Sequence, residues 1–184
     1  MARISIDSLI GQDGPNYPEQ IAAPYRAELV GAGFEQMLTP EDVDRMLDRN
    51  DNKMVLVVLN SVCGCAARVA RPGAILSLFN NRVPDLLVTL FAGMEKEAVT
   101  HFREKYLKGM TPSSPCIALF RNGQLAHILH RYQIESRSAA EIAENLAGAY
   151  DSLCTVSPSA QQIESLRRLF QEKYRVDPLN LPTE

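Results

Sequence analysis

The sequence predicts an α/β domain in which helices sandwich a central mixed sheet. Three observations carry that expectation. Residues 54–59, Met-Val-Leu-Val-Val-Leu, form an unbroken apolar run rich in β-branched side chains, the mark of a strand buried on both faces. Residues 86–91 repeat that character after a helical stretch. Arg121-Asn122-Gly123 then separates two further apolar runs. Asn-Gly at such a junction signals a hairpin, because both residues tolerate positive φ. Strands alternating with helices, followed by an antiparallel pair, give a mixed sheet with helical layers.

The elements follow in order. Residues 1–17 carry Gly and Pro early and read as loosely ordered. Ile21, Ala22, Tyr25 and Leu29 lie near helical spacing and predict a helix over 18–30, ended by Gly31 and Gly33. Thr39-Pro40-Glu41-Asp42 reads as a helix start, with Thr39 as N-cap, Pro40 at the first position and acids in the first turn. After the strand at 54–59, residues 66–79 predict a helix kinked by Pro72. Residues 95–107 predict a charged, exposed helix, whose Glu95-Lys96-Glu97 and Arg103-Glu104-Lys105 clusters read as solvated. Strands at 117–120 and 124–129 lead to helices at 138–153 and 160–174, and a Pro-rich tail closes the chain.

A length of 184 residues suggests one domain with room for an addition. A chain of that size buries roughly 70% of its unfolded surface and needs no staples. The formal net charge is −3 and no basic stripe is present, which argues against electrostatic binding to nucleic acid or to an acidic membrane. The start of the chain lacks the apolar core of a signal peptide, and the longest clear apolar run is too short to span a bilayer. The expected location is therefore cytoplasmic. Structural disulfides are rare there, so four cysteines call for redox chemistry, metal binding or burial.

Cys63-Gly64-Cys65 sits between the first buried strand and a helix start. Unpaired backbone N–H groups and the helix dipole stabilise a thiolate there. A strand end also presents its side chains at the carboxyl edge of the sheet, where open α/β sheets bind ligands. Gly64, Ala66 and Ala67 are small and leave access for a bulky disulfide. A disulfide across one intervening residue closes a small, strained ring, which suits exchange or isomerisation better than strong reduction. The expected chemistry is attack by the Cys63 thiolate on a mixed disulfide, which takes over its low-molecular-weight thiol. Cys65 or a free thiol then releases the adduct. Inert burial of both cysteines is the alternative. A zinc site is another, but Cys116 and Cys154 are lone and far apart, unlike paired zinc knuckles.

Asn60-Ser61-Val62-Cys63-Gly64-Cys65-Ala66-Ala67, with Ala70-Arg71-Pro72, resembles the active-site motif of the bacilliredoxins. Residues 25–34, Tyr-Arg-Ala-Glu-Leu-Val-Gly-Ala-Gly-Phe, resemble the N-terminal helix and turn of that family. Pro112-Ser113-Ser114-Pro115, Ala118-Leu119-Phe120, His130-Arg131 and Ile134-Glu135 resemble its C-terminal half. The resemblance covers about residues 18–154. It implies a thioredoxin-like three-layer α/β/α sandwich. It implies removal of bacillithiol from S-bacillithiolated cytosolic proteins, with weak disulfide isomerase activity. No bound cofactor is implied, and bacillithiol serves as the thiol co-substrate. Cys63 corresponds to the attacking cysteine and Cys65 to the resolving one. Ser114-Pro115 corresponds to the cis-proline that faces the active cysteine in such folds. The chain departs from the family pattern at Arg68, where Gly is usual, and at Cys116, where Ser is usual.

The expected organisation is a thioredoxin-like domain over 1–154, with an ordered core from about 18, and a C-terminal helical extension over 155–184. Arg68 and Arg71 are candidates for reading the carboxylates of bacillithiol, against the alternative of a solvated helix face. Cys116 and Cys154 are candidate accessory thiols, against simple burial. No spacing ties His101, His127 or His130 to Cys63, so ordinary structural roles are expected of them. A generic disulfide isomerase using another thiol remains an alternative, as does a zinc-binding or partner-docking module.

Overall fold

Met54–Asn60 (β2) is the middle strand of a five-stranded sheet, and all seven of its residues are buried. The structure, a computed structural model, describes residues 14–180. The other strands are Glu35–Gln36 (β1), Leu86–Phe91 (β3), Cys116–Arg121 (β4) and Gln124–Leu129 (β5). Their order across the sheet is β1-β3-β2-β4-β5. β1, β3 and β2 run parallel, while β4 and β5 run antiparallel to their neighbours.

The missing alternation in β2 has a direct cause. Met54, Leu56 and Val58 enter one core with Ile117 and Leu119. Val55, Val57 and Leu59 enter a second core with Val88, Leu90 and Phe120. Successive strand residues point to opposite faces, so a strand covered on both sides is apolar at every position. Each such side chain contributes about 1.5–3 kcal/mol on burial. The first core also takes side chains from Glu19–Gly31 (α1), Arg71–Ser77 (α3), Ala139–Leu153 (α6) and Ala160–Tyr174 (α7). The second takes them from Pro40–Leu47 (α2) and Lys96–Tyr106 (α4). The result is the thioredoxin-like three-layer sandwich with added helices before and after it.

Local signals explain several boundaries. Thr39 caps α2 in a reciprocal box with Asp42. Ser138 and Ser159 cap α6 and α7 in the same way. Asn122 and Gly123 have φ of 50° and 72° and form the tight β4–β5 turn. The helix over 95–107 is not wholly exposed. Ala98, Val99, Phe102 and Tyr106 of α4 are buried in the second core, and its charges lie on the remaining face.

Pro72 acts differently from a simple kink. Residues Ala66–Ala70 form a π-helical segment, in which the Arg71 N–H bonds to the Ala66 carbonyl. Pro72 then occupies the first turn of α3. The widened turn gives the ring room where it has no N–H to donate. Short elements absent from the sequence expectation include β1 and a five-residue helix, Arg131–Glu135 (α5). α7 is seated on the body of the protein, with Leu166 and Phe170 in the same core as Leu29, Ala70 and Tyr150. Among the described residues no helix is long and apolar enough to cross a membrane. The expectation of loose order at the start of the chain concerns mainly residues 1–13, which lie outside the described residues, as does the end of the tail at 181–184.

Candidate active site

β2 delivers Asn60, Ser61 and Val62 to the carboxyl edge of the sheet, and Cys63 follows as the chain turns into helix. The Ala67 N–H bonds to the Cys63 carbonyl at 3.1 Å, the first bond of that helix. Cys63 therefore holds the N-cap position. Its sulfur accepts from the Ala66 N–H at 3.4 Å, as a capping oxygen does elsewhere. The Ser61 hydroxyl donates to the same sulfur at 3.1 Å. Cys63 and Cys65 are both free thiols and both half-buried.

The two sulfurs are electrostatically unequal. Burial alone pushes the Cys63 thiol up. Hydrogen bonds from Cys65, Ser61 and the Ala66 N–H, with the nearby Arg131 charge, outweigh it and lower the Cys63 pKa. The Cys65 pKa is raised, first by burial, then by its hydrogen bond to Cys63 and the negative charge there. A sulfur of lowered pKa beside a thiol of raised pKa is the arrangement that exchange chemistry needs.

The surroundings come from three elements. The Ser114-Pro115 peptide is cis, as the resemblance implied, and leads directly into β4. Arg131 opens α5. Its N–H donates to the Ser113 hydroxyl at 2.7 Å, and its guanidinium pairs with Glu135 at 3.1 Å. A groove of about 540 Å³ runs beside this segment, lined by Met110, Ser113, Ser114, Arg131, Tyr132 and Glu135 among others. Tyr132 stands 68% exposed at its rim and stacks on the His130 ring, with centroids 5.8 Å apart. Arg68 folds over the motif: a Cβ built on Gly64 would lie 3.3 Å from its Nη2.

The other candidates fall elsewhere. Arg71 is 1% exposed, so it is neither a solvated face nor a direct reader of a docked anion. Its guanidinium is engaged by Glu28, Asn60 and the Ser61 carbonyl. Cys116 is buried in the second core, and burial pushes its thiol up to about 12. Cys154 is buried in the first core, and burial pushes its thiol up to about 11. Neither is an accessible thiolate, which corrects their candidacy as accessory thiols. His101 pairs with Asp44 at 2.7 Å and His127 with Asn145 at 2.8 Å, both away from the cysteines, whereas His130 lines the groove. Among the described residues no group of three or more His, Cys, Asp or Glu could hold a metal ion.

Sequence reasoning did not single out Ser61 or Arg131 as chemical groups. Ser61 lies two residues before Cys63, so a donor search along the strand end could have found it. Arg131 lies far along the chain and reaches the cysteines only through the fold.

A family model described as disulphide isomerase matches residues 17–154. A bacilliredoxin of Cytophaga hutchinsonii is 49% identical over 137 residues, which cover 74% of this chain and 99% of that relative. A bacilliredoxin of Halalkalibacterium halodurans is 45% identical over 139 residues, covering 76% of this chain and 95% of the relative. Among solved structures, the oxidised thioredoxin of Plasmodium falciparum is similar with a TM-score of 0.41 and 16% identity, over 62% of this chain and 98% of that one.

Proposed function

The chain belongs to the bacilliredoxin family and is a thiol–disulfide oxidoreductase, and from that premise we propose that it removes bacillithiol from S-bacillithiolated cytosolic proteins. The observation that carries this reading is the polarised pair, with the Cys63 sulfur accepting from the Ser61 hydroxyl and the Ala66 N–H and its pKa lowered while that of Cys65 is raised.

The steps follow from that polarity. The Cys63 thiolate attacks the bacillithiol sulfur of the mixed disulfide. A new S–S bond forms there, the old one breaks, and the client cysteine leaves as a thiolate that takes a proton from solvent. Cys65 loses its proton and attacks the Cys63 sulfur, which expels bacillithiol and leaves a Cys63–Cys65 disulfide. Free bacillithiol can instead attack the bacillithiol sulfur of the adduct, which restores the Cys63 thiolate and yields bacillithiol disulfide. The bacillithiol route returns Cys63 to its starting thiolate, whereas the Cys63–Cys65 disulfide regains its two thiols only by exchange with two equivalents of a low-molecular-weight thiol or with a dithiol reductant, which leaves as the disulfide.

Recognition draws on the open side of the site. Arg68 lies over Gly64, and Arg131 borders the groove, so two cations face the region an anionic thiol adduct occupies. Tyr132 and Met110 give the groove an apolar rim for the client chain.

The test is a bacillithiolated model protein followed by mass spectrometry. Cys63→Ser abolishes transfer. Cys65→Ser accepts bacillithiol and accumulates the adduct on Cys63. Full transfer by Cys63→Ser overturns the assignment of roles. Equal turnover of glutathionylated and bacillithiolated clients would make the enzyme a generic disulfide oxidoreductase instead.

A further inference from the structure

α7 lies outside residues 17–154, the segment that the family model matches. Its last residue nonetheless reaches the back of the reactive turn. The Tyr174 hydroxyl donates to one carboxylate oxygen of Glu28 on α1. The other oxygen accepts from Arg71 Nε at 2.9 Å, and both side chains are 2% exposed. Arg71 Nη1 donates to Asn60 Oδ1 at 3.0 Å and to the Ser61 carbonyl at 3.1 Å. Asn60 Oδ1 also accepts from the Ser61 N–H at 2.8 Å. The Ser61 backbone is thus held at both its N–H and its carbonyl. Its hydroxyl is the group that donates to the Cys63 sulfur.

We infer that Arg71 and Tyr174 are positioning residues for the thiol–disulfide reaction: through Glu28 they fix Ser61, so a helix outside the family-matched segment sets how well Ser61 serves the Cys63 sulfur. The inference rests on Cys63 as the attacking sulfur. Its physical basis is the demand of a buried ion pair. Such a pair keeps one geometry only when its remaining lone pairs are satisfied. Tyr174 satisfies the second oxygen of Glu28. Lys173, 3.8 Å from Glu28 and half exposed, is a longer and more screened partner. Tyr174 is itself seated by Phe170, whose ring centroid lies 4.5 Å away, so removing the hydroxyl alone leaves the packing in place.

The experiment follows alkylation of Cys63 by iodoacetamide across pH in the full chain, read by peptide mass spectrometry. Tyr174→Phe raises the apparent pKa of Cys63 by about half a unit, roughly a threefold slower reaction at neutral pH. In a Ser61→Ala background the same substitution adds nothing, because its route to the sulfur is gone. A role in packing alone lowers the melting temperature and leaves the profile where it was, and that result overturns the inference. So does an equal shift in both backgrounds. Alkylation needs no mixed-disulfide substrate, so failure here is distinct from failure of the proposed function, which appears as transfer by Cys63→Ser.

Discussion

The Ser61 hydroxyl stands 3.1 Å from the Cys63 sulfur and donates to it. The two residues are separated by one position, yet they belong to different regimes. Ser61 is buried at the end of a core strand, whereas Cys63 is half-buried at the open start of a helix. A rigid donor therefore points at a sulfur that substrate can reach. Preorganisation of this kind stabilises the thiolate without a reorganisation cost at the moment of attack.

Ser61→Ala and Arg131→Gln separate the two ways in which this thiolate is favoured. A hydrogen bond to a charged group is worth about 1.5–3 kcal/mol, so losing the Ser61 donor raises the Cys63 pKa by about one to two units. Arg131 is exposed, and its influence is screened by salt. Its substitution raises the pKa less. The Arg131 effect fades between about 0.01 and 0.5 M salt, while the Ser61 effect persists. Alkylation profiles at two ionic strengths check this; a salt-insensitive Arg131 effect contradicts it.

Gly64→Ala tests Arg68 without touching it. Gly64 does not need a positive φ, and the new methyl meets the flexible end of the Arg68 side chain at 3.3 Å. The fold tolerates the change, and the guanidinium is displaced. The Michaelis constant for an anionic mixed disulfide rises with little change in kcat, as it does for Arg68→Ala. The double variant is no worse than Arg68→Ala alone. Additive effects would show that the guanidinium over Gly64 is not the shared cause.

The buried cysteines make the protein sensitive to alkali. An unfolded thiol ionises near pH 8.5, whereas folded Cys154 and Cys116 stay protonated to about 11 and about 12. Above about pH 8.5 the unfolded state binds fewer protons than the folded state, so stability falls as pH rises. Below that pH their contribution is flat. Urea midpoints of the reduced protein decline from about pH 8.5 to 10, and the decline is shallower in Cys154→Ala. A parallel decline in the variant counts against this origin.

Gly73→Ala probes the contact between α3 and α6. The added methyl would fall 2.7 Å from Cγ2 of Ile142 and 3.0 Å from the Ala139 carbonyl oxygen, and the latter is backbone. Overpacking of this kind costs about 1–3 kcal/mol, at roughly 2–4 °C per kcal/mol for a chain of this size. Calorimetry reads the drop, and an unchanged melting temperature refutes the close approach.

The sequence by itself determined the elements whose causes are local. The two-faced burial of β2 is written in its unbroken apolar run, because a strand covered on both sides has no polar position to spare. The Thr39 cap and the Asn122-Gly123 turn follow from groups a few residues apart. Cys63 could be placed at a helix start for the same reason. Only the tertiary structure decided which other charges matter to it. Arg71 reads as a surface residue on a helix with cationic neighbours, yet packing turns it inward onto Glu28, 43 positions away. Tyr174 meets the same carboxylate from 146 positions away. Arg131 approaches the cysteines because the segment after β5 folds back beside the cis-proline loop. Helical and strand periods are properties of neighbours along the chain and can be read there. The partner of a buried charge is set by which surfaces close over it, and that is fixed only when the layers pack.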